Sequence, residues 1–182
     1  MIKIRRVSSI LILISAILLV CVANETYAKE NKGIKIDKTF GDCAYWLKSK
    51  QYDKHKDGYL SSREIKKIRK LCCHGNWGDV INLKGISKLK SLEKLDLYAK
   101  QLTSMNEIGK LRKLETLKIE VHKKNKTNIK ISSKNNIKNL NLKNVNGGME
   151  AVSKCPKIEK LRIEGDQTSK SLVIKNNRYI KT

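Results

Sequence analysis

Residues 53–64 carry oxygen-bearing groups at the spacing that a calcium ion requires. Calcium takes six to eight oxygen ligands, and a twelve-residue loop can supply them from positions 1, 3, 5, 7, 9 and 12. Those positions are held by Asp53, His55, Asp57, Tyr59, Ser61 and Glu64. Tyr59 would contribute its backbone carbonyl, Ser61 would act directly or through a water, and Glu64 would bind with both oxygens. The segment therefore predicts a calcium site, with calcium as the cofactor.

One position departs from this EF-hand pattern, because His55 offers a neutral imidazole where Asp or Asn is expected. Three nearby lysines, Lys50, Lys54 and Lys56, add positive charge. We therefore expect weak affinity, with a Kd of about 10⁻⁴–10⁻³ M. EF-hands usually occur in pairs, and this chain carries a single loop, which favours a structural cap over a sensor. The alternative is a metal-free turn that keeps its shape through Gly58.

Apolar residues at helical spacing flank the loop, in residues 40–50 before it and in residues 62–71 after it. They are Phe40, Cys43, Ala44 and Leu47 in the first segment and Ile65, Ile68 and Leu71 in the second. The pattern predicts a helix on each side of the loop. We expect this helix–loop–helix to form an N-terminal cap over residues 29–71.

After the loop, an apolar block of the form L-x-x-L-x-L recurs at spacings of 21–24 residues. The blocks begin at Ile68, Leu92, Leu114, Ile137 and Ile158. A fixed period of 20–29 residues is typical of leucine-rich repeats, and the alternation predicts a short strand with apolar side chains inward. Stacked repeats would join these strands into one parallel sheet over a continuous core. We therefore predict an α/β fold, a capped leucine-rich-repeat solenoid over residues 72–175 with a polar tail at residues 176–182.

The turns of this solenoid depart from the usual pattern. Many leucine-rich repeats carry Asn or Cys three residues after the last inward leucine. The equivalent residues here are Lys100, His122, Val145 and Asp166. We therefore expect no ladder of buried asparagines. Residues 127–131 are predicted to add a strand on the convex side, and residues 172–174 are predicted to form a last strand or a cap.

The side chains between the inward leucines would face outward from the concave side of the sheet, where a ligand could bind. They are Lys94, Asp96 and Tyr98; Thr116, Lys118 and Glu120; Asn139, Asn141 and Lys143; and Lys160, Arg162 and Glu164. Binding hot spots favour Tyr, Trp and Arg, so Tyr98 and Arg162 are the leading candidates. The alternative is a solvated sheet without a partner.

Residues 1–28 are predicted to be a signal peptide. A basic stretch precedes an almost wholly apolar run at residues 10–22, and Ala28 ends a small-residue cleavage site. The run is short for a bilayer span of about 20 residues, so cleavage is favoured over an uncleaved anchor. A lipoprotein modified at Cys21 is a third option. We expect no transmembrane span after removal of this segment.

The chain is strongly basic, with a formal net charge of +23. A surface of this charge attracts polyanions, although lysine-rich coding bias is a simpler alternative. The densest basic segment is residues 110–143, where eleven basic residues accompany two acidic ones. Aromatic residues, on which single-stranded nucleic acids stack, are not interleaved there. We therefore discount specific nucleic-acid recognition.

Four cysteines follow the predicted signal peptide, namely Cys43, Cys72, Cys73 and Cys155. Export permits disulfides without requiring them. Cys73 and Cys155 would be several stacked strands apart, too far to bridge, and adjacent Cys72 and Cys73 alternate across a strand. The pairing that remains is Cys43 with Cys72 or with Cys73. A zinc site that included His74 would need two further ligands, with only Cys43 nearby.

Two features of the sequence together resemble a known class of proteins. One is the run D-x-x-x-D-G-x-L-S-x-x-E at residues 53–64, and the other is Leu83-Lys84-Gly85-Ile86 with the leucine blocks. The chain is similar to the internalin-like leucine-rich-repeat proteins of low-GC Gram-positive bacteria, most closely over residues 40–119. The resemblance implies a secreted protein, or one on the extracellular surface of a Gram-positive bacterium. It also implies an N-terminal cap and a solenoid that binds protein or glycan. It does not imply a catalytic activity, and we expect none.

The sequence therefore favours a monomeric, non-catalytic binding module for a protein or glycan ligand, anionic ligands included. A basic structural protein associated with the cell wall or another polyanion is the first alternative. A thiol- or zinc-dependent enzyme built on Cys72, Cys73 and His74 is the second alternative, and we favour it least.

Overall fold

The computed structural model describes residues 33–76, 79–122 and 128–165. The predicted signal peptide, the predicted last strand at residues 172–174 and the polar tail lie outside the described residues. Within the described ranges, every helix falls short of the length and apolar character that crossing a membrane demands.

The segment before the main sheet contains a two-stranded antiparallel sheet, one 3-10 helix and two short α-helices. Strand β1 (Ile34–Lys35) pairs with strand β2 (Tyr59–Leu60). Between them lie a 3-10 helix (Lys38–Phe40) and helix α1 (Cys43–Leu47). Helix α2 (Ser62–Lys67) follows β2 directly. The 53–64 loop therefore follows α1 after a turn at residues 48–52 and extends into the start of α2.

Both helices are shorter than their apolar patterns predict. The helix predicted over residues 40–50 is limited to α1, because the chain turns after it. The helix predicted over residues 62–71 is limited to α2, since Ile68 already has an extended backbone with φ −74° and ψ 92°. The chain then continues as a strand in which Leu71 and Cys73 are buried between exposed neighbours. At these residues the alternating pattern outweighs the helical one.

Five parallel strands form the main sheet and lie side by side in chain order. They are β3 (Lys70–His74), β5 (Lys94–Ala99), β7 (Thr116–Val121), β8 (Asn139–Lys143) and β9 (Lys160–Glu164). The intervening strands β4 (Val80–Asn82) and β6 (Gln101–Thr103) pair in a separate two-stranded parallel sheet, which the leucine blocks did not predict. The predicted α/β class and its parallel sheet are thus confirmed.

One register runs through the main sheet and aligns the inward residues of successive strands. Leu95 pairs with Leu117, and Leu117 pairs in turn with Leu140. All three are buried, and each fully buried leucine stabilises the fold by about 1.5–3 kcal/mol. Leu161 and Ile163 on β9 are only partly buried, because β9 is the last strand of the described sheet.

The strands are connected by short helices and turns, and these connections lie on the side of the main sheet that faces the core. The 3-10 helices Ile86–Lys88 and Met105–Lys110 follow β4 and β6, and helix α3 (Gly148–Ser153) follows β8. Leu89 and Leu111, which end the two 3-10 segments, are buried. These segments thus cover the inner face of the sheet.

The convex strand predicted at residues 127–131 does not form in its described part, residues 128–131. Ile129 and Ile131 are nevertheless buried, and the Ile129 N–H donates to the carbonyl of Asn146 at 3.0 Å. The apolar alternation of this segment therefore reflects packing onto the core without a neighbouring strand to pair with it.

An asparagine just after β8 donates a hydrogen bond to the end of the neighbouring strand β7. The side-chain amide of Asn144 donates to the carbonyl of Val121 at 2.8 Å. Asn144 adopts a left-handed backbone with φ 58°, a conformation that Asn tolerates better than most residues. It stands one position before Val145, which is buried in the core. Asn144 is itself half-buried, so this single bond is not a ladder of buried asparagines.

Candidate functional site

The 53–64 loop is shaped by carboxylates that accept hydrogen bonds from its own backbone. Asp53 Oδ2 accepts one from the Gly58 N–H at 3.0 Å, and Asp57 Oδ1 accepts one from the Tyr59 N–H at 2.8 Å. Gly58 has a φ of 77°, in the left-handed region that glycine adopts without steric cost. The loop therefore makes a tight turn at the position where its sequence places glycine.

Strand β1, which the sequence analysis missed, supports this loop from outside. Ile34 pairs with Leu60, the apolar residue of the loop, and Leu60 is fully buried. A Cβ atom on Gly33 would lie 2.1 Å from the Leu60 carbonyl oxygen, so glycine is required for this close approach. The available signal was the alternation of Ile34 and Ile36 around a lysine, which is too short to distinguish from chance.

The carboxylate of Asp53 is buried, and only one of its two oxygens accepts a hydrogen bond. The residue is 1% exposed, and its Oδ1 atom has no hydrogen-bond partner within the described part of the chain. A buried polar atom without a partner costs about 1–3 kcal/mol, and more when it is charged. A carboxylate oxygen can only accept, so a cation is a partner that would remove this cost.

Glu64, at the other end of the loop, is buried and fully engaged. Its Oε1 accepts from the Lys54 N–H at 3.0 Å, and its Oε2 accepts from the Ser61 N–H at 2.8 Å and the Ser61 hydroxyl at 2.6 Å. The Glu64 N–H donates back to the Ser61 hydroxyl, which completes a capping box at the start of α2. Burial would raise the pKa of Glu64, but the hydrogen bonds from Ser61 and Lys54 together lower it.

The other predicted ligands lie nearer to solvent. His55 and Asp57 are exposed, while Tyr59 and Ser61 are half-buried. Among the described residues, no three His, Cys, Asp or Glu side chains converge as a metal-binding group. A calcium ion in this loop would therefore need hydroxyl and carbonyl oxygens beside its carboxylates. That mixed oxygen set is the one that calcium prefers.

The outward side chains of the main sheet form three columns, because all five strands share one register. The columns are Lys70, Lys94, Thr116, Asn139 and Lys160; Cys72, Asp96, Lys118, Asn141 and Arg162; and His74, Tyr98, Glu120, Lys143 and Glu164. All of these residues are exposed or half-buried. We call this surface the outward face. It contains the twelve residues that the sequence placed there, together with three from β3 that the sequence analysis did not include.

Tyr98 lies in a cluster with two histidines at one end of the outward face. Its hydroxyl is 2.6 Å from His122 Nε2, and the two rings meet edge to face with centroids 5.1 Å apart. The centroid of the His74 ring lies 6.2 Å from that of Tyr98. Edge-to-face packing is favourable and fixes the ring orientation. Sequence reasoning missed His122 because it follows the alternating block of β7 and was assigned to a turn.

The acidic residues of the outward face are accompanied by cations. The ion pairs are Lys143 with Glu120 at 2.9 Å, Lys118 with Asp96 at 3.9 Å, His74 with Asp96 at 3.4 Å when the histidine is protonated, and Arg162 with Glu164. The hydrogen bond from Lys143 lowers the pKa of Glu120 below its ordinary value. The first column carries three lysines and no acidic residue. The face is therefore mixed at its centre and basic along one side.

The run Cys72-Cys73-His74 is divided between the two sides of β3. Cys72 and His74 are exposed on the outward face, whereas Cys73 is fully buried. The Cys73 sulfur lies 3.6 Å from the sulfur of Cys43 in helix α1. The three residues are therefore not brought together as one cluster, and the neighbour of Cys43 is Cys73.

Comparison with known proteins does not assign this chain to a family. No protein-family model matches the chain, and no curated protein matches it. The fold is a mixed α/β structure with a five-stranded parallel sheet and short helices.

Proposed function

We propose that this chain is a secreted or surface-associated leucine-rich-repeat protein of a Gram-positive bacterium that binds a protein or glycan ligand without catalysis. On this proposal the main sheet is the concave side of a solenoid, and the segment from β1 to α2 is an EF-hand-like cap. The regular period of the leucine blocks, their shared register and their burial support the solenoid. The pairing of the loop with β1 supports a cap that needs no second loop.

The observation that carries the binding proposal is the alignment of the outward side chains in columns across five strands. The sheet fixes the backbone beneath these side chains, so little backbone freedom is lost when a ligand binds and more of the interaction energy is retained. Tyr98 adds a large, oriented ring at one end, and Asn139 and Asn141 on strand β8 add donors and acceptors. Such a surface suits a polar ligand with an aromatic or sugar-ring contact.

The proposal includes a structural calcium ion in the 53–64 loop, supported by the buried and unpartnered Oδ1 of Asp53. The groups that would hold it are the carboxylates of Asp53, Asp57 and Glu64, the Tyr59 carbonyl and the Ser61 hydroxyl. Calcium would supply positive charge to two buried carboxylates and thereby stabilise the cap. His55 is exposed and is a poor ligand for a hard cation, so we assign it no direct contact.

The binding proposal is tested by screening the purified protein on a glycan array that includes acidic polysaccharides and on an array of extracellular proteins. Each ligand found is then titrated against the double variant Tyr98→Ala/Asn141→Ala and the control Lys84→Ala, which alters an exposed lysine beyond the outward face. We expect at least about a tenfold loss of affinity in the double variant, or about 1.4 kcal/mol, and no change in the control. Equal binding by all three proteins would exclude the outward face.

A second candidate function, association with a polyanion, is favoured by a separate basic surface. Lys90, Lys110, Arg112 and Lys113 border an open depression of about 580 Å³, and we call them the basic ridge. Lys110 forms an ion pair with Glu107. Among the described residues, the other three have no ion pair to an acidic side chain. Unpaired cations around a depression suit a flexible anionic chain.

Heparin chromatography separates these two candidates. If the basic ridge binds polyanions, Arg112→Ala/Lys113→Ala should elute at clearly lower salt than the wild type, because exposed charges act through screened electrostatics. The matched variant Lys70→Ala/Lys94→Ala removes the same charge from the outward face. An equal shift in both variants would indicate net charge alone and would contradict a polyanion site on the ridge.

A further inference from the structure

Two buried thiols face each other where the cap meets the main sheet. Cys43 in helix α1 and Cys73 in strand β3 are both 0% exposed, and their sulfurs are 3.6 Å apart. The adjacent Cys72 is exposed on the opposite side of the strand. Cys155 is buried in a different region, where its thiol donates to the carbonyl of Ala151 at 3.2 Å. Among the described cysteines, Cys43 and Cys73 are therefore the pair whose sulfurs are in contact.

We propose that Cys43 and Cys73 form a disulfide that fastens helix α1 to the first strand of the main sheet. The sulfurs need to approach from 3.6 Å to about 2.05 Å, the length of a disulfide bond. Helix α1 has five residues and ends in turns at both sides, so a small shift of this helix can bring the sulfurs together. This inference rests on the proposed function in one respect: export would place the chain in an oxidising compartment, where disulfides persist.

The bond forms by thiol–disulfide exchange with an external disulfide as oxidant, for which glutathione disulfide serves in the test. The thiolate of one cysteine attacks a sulfur of the oxidant, and one glutathione thiol leaves. The second cysteine thiolate then attacks the mixed disulfide and releases the other glutathione thiol. Two protein thiols are oxidised, and two glutathione thiols carry away the two electrons and two protons.

Burial determines when this exchange can occur. The hydrogen bond with Cys43 and the removal from water raise the pKa of the Cys73 thiol far above its ordinary value. The thiolate is the reactive form, so the folded, reduced protein should react slowly with external disulfides. We therefore expect the bond to form during folding, before α1 covers β3.

The cross-link would close a ring from residue 43 to residue 73, and the 53–64 loop lies inside this ring. Closing a ring removes freedom from the unfolded chain, so the folded state gains stability relative to it. Both buried carboxylates of the loop, Asp53 and Glu64, are within the ring. The bond would therefore hold in place the segment that the proposed calcium ion also stabilises.

The test is to unfold and reduce the purified protein, refold it in a glutathione redox buffer, alkylate the free thiols and map the peptides by mass spectrometry. We expect a Cys43–Cys73 cross-linked peptide, a mass lower by two hydrogens for this pair, and alkylated Cys72 and Cys155. Thermal unfolding of the oxidised protein should occur about 5–15 °C above that of the reduced protein. Alkylation of both Cys43 and Cys73 in the refolded protein would overturn the proposal.

Matched serine variants distinguish this pairing from a general effect of thiols. Cys72→Ser should keep the cross-link and the full shift in unfolding temperature. Cys43→Ser and Cys73→Ser should each lose both, and to the same extent. A Cys43–Cys72 peptide would overturn the proposal. The mapping uses wild-type protein and fragments the cross-linked peptide between the adjacent Cys72 and Cys73, so it decides the question even where a buried serine prevents folding.

Discussion

At the scale of single residues, two buried carboxylates of one loop have opposite surroundings. Glu64 accepts three hydrogen bonds from Lys54 and Ser61, whereas Asp53 retains an oxygen with no partner within the described structure. Glu64 is the third residue of α2 and accepts from the N–H of the N-cap residue Ser61, whereas Asp53 precedes a turn that uses only one of its oxygens. Glu64 therefore stabilises the loop without a metal. The unpartnered oxygen of Asp53 is the group that would gain a partner from a cation.

Acid should destabilise the protein through three glutamates whose pKa values are lowered by folding. They are Glu64, Glu107 and Glu120. The hydrogen bond from Lys110 lowers the pKa of Glu107, and that from Lys143 lowers the pKa of Glu120. The unfolded chain then binds protons at a higher pH than the folded one. This stabilisation is complete above the ordinary value of 4.5 and is lost as pH falls below it.

The measurement is the unfolding temperature, followed by circular dichroism from neutral pH to about pH 3. We expect a decline that begins near the ordinary glutamate pKa and is shallower in Glu107→Gln. The control Glu159→Gln changes an exposed glutamate and should leave the slope unaltered. A pH-independent unfolding temperature would show that these hydrogen bonds do not lower the three pKa values.

At the scale of elements, β1 depends on a single glycine for its contact with the loop. Gly33→Ala should destabilise the protein by about 1–3 kcal/mol, because the new Cβ would meet the Leu60 carbonyl oxygen and the backbone would remain at a left-handed φ. Gly58→Ala is the matched control, since its φ is also left-handed but the space for a Cβ is open. We expect the control to cost about 1 kcal/mol.

Urea unfolding of the two glycine variants measures this difference. A larger loss of stability for Gly33→Ala than for Gly58→Ala would support the docking of β1 on the loop. Equal losses would mean that only the backbone angle matters, and that the close approach at Leu60 is absent in solution.

The strands of the main sheet were predictable, and the smaller elements were not. Each main strand carries an L-x-L alternation on a fixed period, so Leu95 and Leu117 could be assigned to the core before the structure was known. Strands β1, β4 and β6 have two or three residues, which is too few alternations to recognise. The same alternation predicted the residues of the outward face on four of its five strands. It did not predict His122, because this residue lies beyond the alternating block of β7. The sequence could not choose between Cys72 and Cys73 as the partner of Cys43. That choice depends on the position of α1, which is shorter than its apolar pattern predicts.

The inward leucines should contribute unequally along the sheet. Leu117→Ala, on the central strand β7, leaves a cavity in a fully buried site and should cost about 2–5 kcal/mol. Leu161→Ala on β9 should cost clearly less, because Leu161 is only partly buried. Urea unfolding measures both values. Equal costs would imply that β9 is covered in solution to the same extent as the central strands.

At the scale of the whole molecule, the described residues combine the segment from β1 to α2, the main sheet and two differently charged surfaces. The outward face is mixed and ordered, whereas the basic ridge consists of exposed cations around a depression. The segment from β1 to α2 contacts the main sheet through Cys43 and Cys73, and its 53–64 loop is the proposed calcium site. The molecule is thus proposed to be a binding surface whose first strand is held by a segment that a cation stabilises.

Thermal unfolding with calcium and with chelator tests this account most directly. At 10 mM calcium, a Kd of about 10⁻⁴–10⁻³ M predicts stabilisation of about 1.4–2.7 kcal/mol, or about 3–10 °C. Asp53→Asn should abolish this rise without lowering stability in chelator, and Glu159→Gln should retain it. Identical unfolding of the wild type in calcium and chelator, or a full calcium response in Asp53→Asn, would contradict a calcium site at the 53–64 loop.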